Sequence, residues 1–339
     1  MPAGRSDRRP SAPDTGPRRV FVAGGAGFVG SHVVDAVLAR AATSVTVFDD
    51  FSSGRRWHLE DHAGDDRLTV IEGDLADVEA VTRAVAGHDV VYHLASNPDI
   101  ARAVTEPDVD FWKGTYLTQS LLEAMRRAGV RTILYASGSG IYGDTGTRPV
   151  AEDHAPLLPI STYGASKLAG EALISAYGHM FEFRGYVFRF ANVVGRRQTH
   201  GVAYDFLRKL ARDPRRLDVL GDGSQSKSYI HVTDVVDAMT HVAAHAPDRF
   251  NYYNVATEDA VDVRTIARLV IEALGLDGVD IRLGSSPRGW AGDVPVIRFD
   301  VAKIHTLGWR PRLDSMAAMR RAIEEMRGDL LAGRLAGVG

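Results

Sequence analysis

The heptapeptide GGAGFVG at residues 24–30 decides the fold of this chain. It directly follows the apolar run RRVFVA and opens the helical pattern GFVGSHVVDAVLAR. Glycines at positions 24, 27 and 30 allow a tight turn, close approach of the backbone to a pyrophosphate, and close packing of the helix. The first turn of that helix directs unpaired N–H groups toward such a phosphate. This order of strand, glycine loop and helix predicts a dinucleotide-binding βαβ unit.

Acidic residues end the next two predicted strands. Asp49 closes SVTVFDD about 20 residues after the loop, where an acid binds the ribose hydroxyls of the adenosine. Together with Asp50 it would repel a 2′-phosphate, which favours NAD over NADP. Arg55 and Arg56 follow, and NADP remains an alternative cofactor because arginines there can accommodate that phosphate. Asp74 in EGD is either a contact to the adenine or an ordinary turn aspartate.

The same alternation of strand and helix continues along the chain. The further predicted strands are RLTVIEGD, DVVYHLAS and RTILYASG, and the helices between them are DVEAVTRAVAG and DFWKGTYLTQSLLEAMRRAG. Short, β-branched apolar runs that end in turn residues are typical of buried strands in parallel sheets. Repeated βαβ units predict an α/β fold, a Rossmann-type doubly wound parallel sheet with helices on both faces.

The pattern changes after about Gly195, where strands become fewer and connections longer. The segments LDVLGDG, SYIHV, RFNYYNVA and DIRLG predict a smaller α+β lobe built onto the first unit. The sequence thus divides into three parts. Residues 1–17, rich in Pro, Arg and Ser, are predicted to be a disordered tail. Residues 18–195 form the NAD-binding Rossmann domain, and residues 196–330 are mainly the substrate-binding lobe.

Composition excludes several classes of protein. The chain has 339 residues, 45% of them hydrophobic, and a formal net charge of -3, which gives no reason to expect nucleic acid or an anionic membrane as partner. It has no cysteine and hence no disulfide or thiolate site, and its histidines show no ligand-like spacing, so no metal is predicted. No run reaches the roughly 18 apolar residues of a membrane span. The N-terminus lacks the apolar stretch of a secretion signal, so a cytoplasmic location is expected.

The segment STYGASKLAGE carries the predicted catalytic pair. Tyr163 and Lys167 lie four residues apart in a helical pattern, so their side chains share one face. A free tyrosine has a pKa near 10. A neighbouring ammonium and an oxidised nicotinamide would both favour the phenolate, which makes Tyr163 a general base. Because the same chain also carries the dinucleotide-binding loop, this pair predicts a dehydrogenase-like site.

These motifs together resemble one family. The chain is similar to extended short-chain dehydrogenases/reductases of the nucleotide-sugar epimerase/dehydratase family, above all to UDP-glucose 4-epimerases. The resemblance runs from about Arg19 to Trp309 and is carried by GGAGFVG, FDD, EGD, HLAS, IYG, YGASK, FRFANVVG, SYIHV, GWAGDVP and LGW, in that order. It implies a homodimer built through two long helices near residues 107–128 and 161–180.

The resemblance also implies the roles of individual residues. It makes Tyr163 the base. Lys167 and Ser139 are the other two residues predicted to be catalytic. The implied NAD-binding residues are Gly24, Gly27, Phe28, Val29, Gly30, Asp49, Asp50, Ser53, Gly54, Asp74, Leu75, Leu94, Ala95, Ser96, Tyr163 and Lys167. The implied substrate-binding residues are Asn97, Ser139, Tyr163, Asn192, Val219, Lys227, Arg288 and Asp293.

Five positions depart from the family pattern. Gly138 stands where the family has Ser or Thr, four residues before the tyrosine of its Val-Tyr-Gly motif. Lys227 replaces an arginine with a point charge. Pro98 replaces a lysine beside the nicotinamide, and Phe111 an asparagine of the following helix. Ile297 takes the place of a tyrosine that gates the sugar pocket, which predicts room for a sugar larger than glucose.

The leading hypothesis is an NAD-dependent nucleotide-sugar 4-epimerase. Dehydratases and decarboxylases that resemble this chain follow the Ser or Thr with acidic residues, and this chain has Ser139 and Gly140 there. An epimerase needs only the base, NAD, and space for a 4-keto sugar to rotate. The alternatives are a dehydratase or 4-keto reductase and, in a different class, a dinucleotide-binding sensor without turnover. The nucleotide and the sugar stay open.

The stretch YASGSGIYG leaves the proton path open. Side chains alternate along a strand, so Gly138 faces opposite to its serine neighbours unless the chain bulges. A straight strand predicts that Tyr163 contacts O4 directly, with Ser139 as a nearby substrate contact. A bulge would let Ser139 act as the relay instead. A third possibility is that Ser137 and Ser139 only satisfy backbone groups at the strand end.

Overall fold

A computed structural model describes residues 16–40, 43–290 and 292–335 of the chain. Most of the predicted disordered tail, residues 1–15, lies outside the described residues. The strands are β1 Arg19–Ala23, β2 Ser44–Asp49, β3 Leu68–Glu72, β4 Val90–His93, β5 Thr132–Gly138, β6 Arg184–Phe190, β7 Asn192–Val194, β8 Arg216–Val219, β9 Ser226–Lys227, β10 Tyr229–His231, β11 Phe250–Val255, β12 Val261–Asp262 and β13 Asp280–Leu283.

Helices alternate with these strands over most of the chain. They are α1 Phe28–Leu38, α2 Val78–Val85, α3 Leu117–Ala128, α4 Thr162–Phe181, α5 Val202–Arg212, α6 Val232–His245, α7 Val263–Ala273, α8 Ala302–His305 and α9 Ser315–Leu331. A π-helical segment, Phe111–Tyr116, leads into α3, and 3-10 turns occupy Arg56–His62, Ile100–Val104 and Ser139–Tyr142. Asp77 and Ser161 cap α2 and α4 by accepting backbone N–H groups of the first turn.

Seven parallel strands form the central sheet in the order β11-β6-β5-β4-β1-β2-β3. The fold is a Rossmann-like α/β fold, as the sequence predicts. The chain first adds β2 and β3 on one side of β1 and then adds β4, β5 and β6 on the other side, while all strands stay parallel. At this switch point between β1 and β4, a crevice opens at the carboxyl ends of the strands. The glycine loop after β1 and the HLAS segment after β4 therefore meet in space.

Alternate residues of the central strands enter two apolar clusters, one on each face of the sheet. Val20 and Val22 of β1 pack with α1 and α6, whereas Phe21 of the same strand packs with α2, α3 and α4. Both clusters are buried, which explains why the strands are apolar on both faces. Each face needs its own layer of helices, and this is the doubly wound arrangement.

A second, smaller lobe lies in the later part of the chain. Its strands pair in three two-stranded sheets, β10 with β7, β12 with β9, and β13 with β8. Its own apolar cluster joins α5, α7 and α9 through residues such as Leu207, Ile266 and Met319. This lobe has the mixed α+β character expected from the sequence.

One strand differs from the sequence-based division. RFNYYNVA is predicted to belong to the lobe after residue 195, but β11 pairs in parallel with β6 and forms one edge of the central sheet. The preceding helix α6 packs beside α1 on the same unit. The chain thus returns to the Rossmann unit within residues 232–255. The substrate-binding role of the second lobe stays a prediction.

Within the described ranges, no helix is both long enough and apolar enough to cross a membrane. The cytoplasmic location stays a prediction from the sequence.

Candidate active site

The glycine loop leaves space that only glycine can leave. Gly24 has φ +80°, and a Cβ there would lie 2.6 Å from the backbone nitrogen of Ala95. A Cβ on Gly30 would collide with the carbonyl of Gly24. Gly27 caps α1 with no side chain over the first turn, so the helix N-terminus opens toward the crevice. The loop therefore fits a pyrophosphate held by backbone N–H groups.

Asp49 and Asp50 lie beside this loop. Asp49 is buried, and its carboxylate accepts hydrogen bonds from the backbone N–H groups of Ala26 and Phe51, both at 2.9 Å. Burial raises the pKa of Asp49, and these two hydrogen bonds oppose the rise. Asp50 accepts from Ser52 and pairs with Lys113 at 3.2 Å. Burial opposes the effect, but these contacts lower the pKa of Asp50.

Arg55 and Arg56, which could accommodate the 2′-phosphate of NADP, already contact other groups in the structure. Arg56 forms an ion pair with Glu72, and its guanidinium lies 4.3 Å from the ring centroid of Phe51. Arg55 donates to the carbonyl of Gly54 at 3.1 Å. Each would have to leave a partner to bind a 2′-phosphate.

Tyr163 and Lys167 lie one turn apart on α4, at the bottom of the crevice. Lys167 is buried, and its ammonium donates to the carbonyl of Ala136 at 2.8 Å and lies 5.5 Å from the Tyr163 ring centroid. Burial lowers the pKa of Lys167 to about 8, and the carboxylates of Asp110 and Glu171 oppose this shift. Lys167 thus places a buried positive charge beside the phenol of Tyr163, and such a charge favours the phenolate.

The phenol itself is held in its neutral form. Burial and then the charge of Asp110 raise the pKa of Tyr163 to about 12, while a hydrogen bond with Ser96 opposes the rise. Ser96, predicted as a cofactor contact, is therefore also a hydroxyl partner of the phenol. Further positive charge is needed before Tyr163 becomes a base near neutral pH.

The strand that carries YASGSGIYG runs straight to its end. Gly138 stands in register opposite Phe190 of β6 with an extended φ of -162°. Ser137 also lines the crevice, is buried, and donates its hydroxyl hydrogen to Glu171 at 2.5 Å. Ser139 begins the 3-10 turn and lines the crevice. The strand stays in register to Gly138 and does not bulge, and the choice between a direct path through Tyr163 and a relay through Ser139 stays a prediction.

The two glycines of this stretch have different reasons. A Cβ on Gly138 would meet nothing closer than the carbonyl of Phe190 at 3.9 Å, so this position leaves open space. A Cβ on Gly140 would lie 3.3 Å from the Cα of Gly164, so this glycine lets α4 approach the strand end closely. One glycine makes room in the crevice, and the other allows helix packing.

Across the crevice, a cation faces the pocket from the second lobe. Lys227 pairs with the buried Asp293 at 2.7 Å, and its ammonium lies 5.5 Å from the Trp290 ring centroid. Asp293 also accepts the backbone N–H of Gly289 at 3.0 Å. Arg288 turns elsewhere, donating to Asp144 at 2.7 Å and to the Asp293 carbonyl at 3.0 Å.

One cleft of about 710 Å³ collects nearly all of the predicted site residues. Gly54 and Arg288 are the two that do not line it. Gly54 packs behind Asp49, where a Cβ would come within 2.7 Å of the carboxylate. Those that do line it are Gly24, Gly27, Phe28, Val29, Gly30, Asp49, Asp50, Ser53, Asp74, Leu75, Leu94, Ala95, Ser96, Asn97, Ser139, Tyr163, Lys167, Asn192, Val219, Lys227 and Asp293.

Two positions that depart from the family pattern lie away from the cleft. Ile297 is buried in an apolar cluster and does not line the cleft, so the prediction of extra room from this residue loses its basis. Phe111 is half exposed on the π-helical segment and also stays outside. Pro98, by contrast, lines the cleft.

Sequence reasoning missed several residues of the site. Gln198, Thr199, His200 and Trp290 line the cleft, and the polar run QTH, which follows the NVVG segment after two arginines, was the available signal. Asp110 lies behind the cleft and interacts electrostatically with Tyr163 and Lys167. Nothing in its local sequence marks it.

Comparison with known proteins agrees with this geometry. The sequence matches the NAD dependent epimerase/dehydratase family over residues 20–256. The chain belongs to this family. NAD is therefore its cofactor, and the open glycine loop with the acids at the end of β2 provides a fitting site.

Members of the NAD dependent epimerase/dehydratase family with different activities resemble this chain. UDP-glucose 4-epimerase of Mycolicibacterium smegmatis is 32% identical over 317 residues, which cover 91% of this chain and 98% of that relative. A crystal structure of UDP-galactose 4-epimerase has a TM-score of 0.81 at 39% identity, covering 92% of this chain and 99% of the other. dTDP-glucose 4,6-dehydratase of Streptomyces venezuelae, solved with NAD bound, has a TM-score of 0.84 at 26% identity, covering 92% and 97%.

Proposed function

We propose that the protein is an NAD-dependent nucleotide-sugar 4-epimerase. The observation that carries the proposal is the composition of the cleft around Tyr163 and Lys167. Ser139 and Gly140 stand where related dehydratases carry acids, and Gly138 leaves open space beside them. The cleft thus offers a base and room, without an added acid on this turn to move a proton at C5 or C6.

The residues of this chain have distinct tasks in the proposed reaction. The glycine loop and Asp49 hold NAD, which when bound accepts a hydride reversibly and adds positive charge to the site. Tyr163 takes the O4 proton as the C4–H bond breaks and a C4 carbonyl forms, and the Lys167 ammonium stabilises the phenolate. The 4-keto sugar then rotates. Once the other face of the C4 carbonyl has been reduced, Tyr163 would return the proton to O4, and this gives the epimer.

The second lobe is proposed to hold the nucleotide part of the substrate. Lys227 faces the cleft and suits a diphosphate, although as a point charge it lacks the bidentate fork of an arginine. Asn192 and Val219 also line the cleft. Lys227 would have to leave Asp293, and Arg288 would have to release Asp144, before either cation could bind a phosphate.

A panel of nucleotide sugars tests the proposal directly. UDP-, GDP-, ADP- and dTDP-linked hexoses are incubated with the NAD-loaded protein, and the C4 proton is followed by NMR. Interconversion of C4 epimers with no net change in NAD is expected for at least one pair. Accumulation of a 4-keto product would identify a dehydratase instead. Bound NAD with no change in any sugar would favour a dinucleotide sensor.

The dehydratase is the second candidate, and the similarity to dTDP-glucose 4,6-dehydratase keeps it in view. Loss of water requires an acid for the C6 hydroxyl and a base for the C5 proton. Asp99 and His200 are two titratable side chains that line the cleft. Asp99→Asn and His200→Gln would abolish a dehydratase that uses them, whereas an epimerase would retain its C4 chemistry.

We also propose that the protein is a homodimer. Large apolar side chains are exposed on the two helices that the family resemblance assigns to the interface. Phe111 and Trp112 are each 51% exposed, Tyr116 is 38% exposed, and Met180 at the end of α4 is 69% exposed. Light scattering is expected to give twice the monomer mass, and Trp112→Glu to give the monomer. A wild-type monomer at micromolar concentration would contradict the proposal.

A further inference from the structure

Asp110 joins three elements of the active site from behind. It precedes the π-helical segment Phe111–Tyr116 and is only 2% exposed. One carboxylate oxygen accepts from the side-chain amide of Asn97 at 2.9 Å, and the other accepts from the hydroxyl of Thr162 at 2.7 Å. Asn97 lies in the loop after β4, and Thr162 begins α4 directly before Tyr163. Asp110 does not line the cleft itself.

Two buried carboxylates interact with Lys167, and only one of them is neutralised. Glu171 is bound by the guanidinium of Arg189, with distances of 2.8 Å and 3.2 Å, and accepts the hydroxyl of Ser137. Among the described residues, the carboxylate of Asp110 accepts side-chain hydrogen bonds only from the neutral donors Asn97 and Thr162. Within the described part of the chain, no lysine or arginine lies at ion-pair distance from it. A buried carboxylate without such a partner needs a countercharge nearby.

His93 and Tyr135 are two further titratable side chains that lie near Lys167. His93 comes from β4, and burial lowers its pKa to about 3, so it is neutral at neutral pH. Tyr135 comes from β5, with its ring centroid 5.2 Å from the Lys167 ammonium, and burial raises the pKa of its phenol well above the usual range. His93 and Tyr135 are thus both uncharged near neutral pH, and neither supplies a charge that could balance Lys167.

We propose that Asp110 is a positioning residue that acts as the buried countercharge of the Lys167 ammonium. It also fixes the start of α4 through Thr162. The inference rests on the proposed function in one respect, the use of Tyr163 and Lys167 as the proton-transferring pair. Asp110 touches neither the substrate nor the cofactor. It tunes the pair, because its negative charge raises the pKa of both Lys167 and Tyr163.

Removing this charge moves both titrations in one direction. In Asp110→Asn the pKa values of Tyr163 and Lys167 both fall, so both limbs of the pH–rate profile shift to lower pH. A shift of about one pH unit is expected, as a nearby charge typically gives. The near-ultraviolet absorbance of tyrosinate, titrated in the NAD-loaded protein without substrate, is expected to shift likewise. Unchanged midpoints in both measurements would overturn the proposal.

Asp108→Asn is the matched control. Asp108 lies two residues earlier, is exposed, and accepts the indole N–H of Trp112 at 3.2 Å. Its removal takes away a charge of the same sign without touching the buried network, so both midpoints are expected to stay. Thr162→Val removes a hydrogen bond to Asp110 and keeps the charge. It is expected to lower kcat without the one-unit shift, and an equal shift there would assign the effect to geometry alone.

A double-mutant cycle tests the pairing by stability. Lys167→Met leaves the Asp110 carboxylate buried without its countercharge, and Asp110→Asn does the reverse. The double variant is expected to lose less free energy of unfolding than the sum of the two single variants. Additive losses would overturn the pairing. Neither this cycle nor the tyrosinate titration needs a sugar substrate, so failure of the epimerase assignment would be seen separately in the nucleotide-sugar panel.

Discussion

Tyr163 lies in surroundings that oppose its own ionisation. Burial and Asp110 raise the pKa of the phenol to about 12. In the proposed reaction the phenolate would therefore depend on the positive charges of Lys167 and of bound NAD. The ammonium is itself lost as the pH rises through about 8, the lowered pKa of Lys167. Base strength at this residue is therefore a property of the loaded site and not of the tyrosine alone.

Tyr163→Phe is expected to reduce turnover by about 10² to 10⁴, the usual contribution of a general base. Only the hydroxyl is removed, so the fold and NAD affinity are expected to remain. Steady-state rates on the active sugar pair and fluorescence titration with NAD measure the two quantities. Tyr116→Phe, on an exposed tyrosine away from the cleft, is the control. Near-normal turnover in Tyr163→Phe would remove this residue from the mechanism.

Asp49 is expected to set the preference for NAD over NADP. Its buried carboxylate, fixed by Ala26 and Phe51, would repel a 2′-phosphate, and Arg56 is held by Glu72. We expect NAD to bind at least about tenfold more tightly, a difference of about 1.4 kcal/mol. Asp49→Asn is expected to narrow that ratio in calorimetric titrations. Tighter binding of NADP by the wild type would mean that Arg55 or Arg56 controls the site.

Strand β5 determines what Ser139 and Gly138 can do. Because the strand stays in register to Gly138, Ser137 is committed to Glu171 and Gly138 faces open space. Ser139→Ala is expected to cost less than about tenfold in kcat, or 1.4 kcal/mol in the barrier. Gly138→Ser fits without a clash and is expected to change the substrate range. A larger loss in Ser139→Ala, seen in the same kinetic assay, would make Ser139 the relay.

The local elements follow from the sequence more fully than their partners do. Apolar runs with turn residues at each end predicted β1 to β5, and the glycine loop predicted the crevice, because these signals are local. The pairing of β11 with β6 was missed because their contact spans a long separation along the chain. Asp110 was missed for the same reason. Its partners Asn97 and Thr162 lie 13 and 52 residues away, and only the fold brings them together.

At the scale of the whole molecule, an ion-pair network joins the two lobes away from the active site. The buried guanidinium of Arg197 binds Asp35 of α1 at 2.7 Å and Asp61 of the Arg56–His62 turn at 2.8 Å. The neighbouring backbone N–H of Arg196 donates to Glu325 of α9 at 3.0 Å. The charge of Glu325 on α9 therefore lies next to the contacts through which the second lobe packs against the Rossmann unit.

Glu325 is expected to make the stability of this contact pH-dependent. Burial opposes the effect, but hydrogen bonds from His231 and Arg321 lower the pKa of Glu325 to about 2, from an ordinary value of 4.5. A lowered carboxylate pKa stabilises the folded state above pH 4.5, and this stability is lost as the pH falls toward about 2. At neutral pH the contribution is about 1 to 3 kcal/mol.

Glu325→Gln keeps a hydrogen-bond acceptor and removes only the charge, so its effect reports this linkage. Denaturant unfolding is expected to show lower stability than the wild type at pH 7, with a difference that shrinks as the pH falls below about 5. Glu324→Gln is the control, because that side chain is 54% exposed and pairs with Arg327 on its own helix. If the difference in free energy of unfolding between Glu325→Gln and the wild type stays constant from neutral to acidic pH, the packing of this side chain, and not its charge, holds α9 in place.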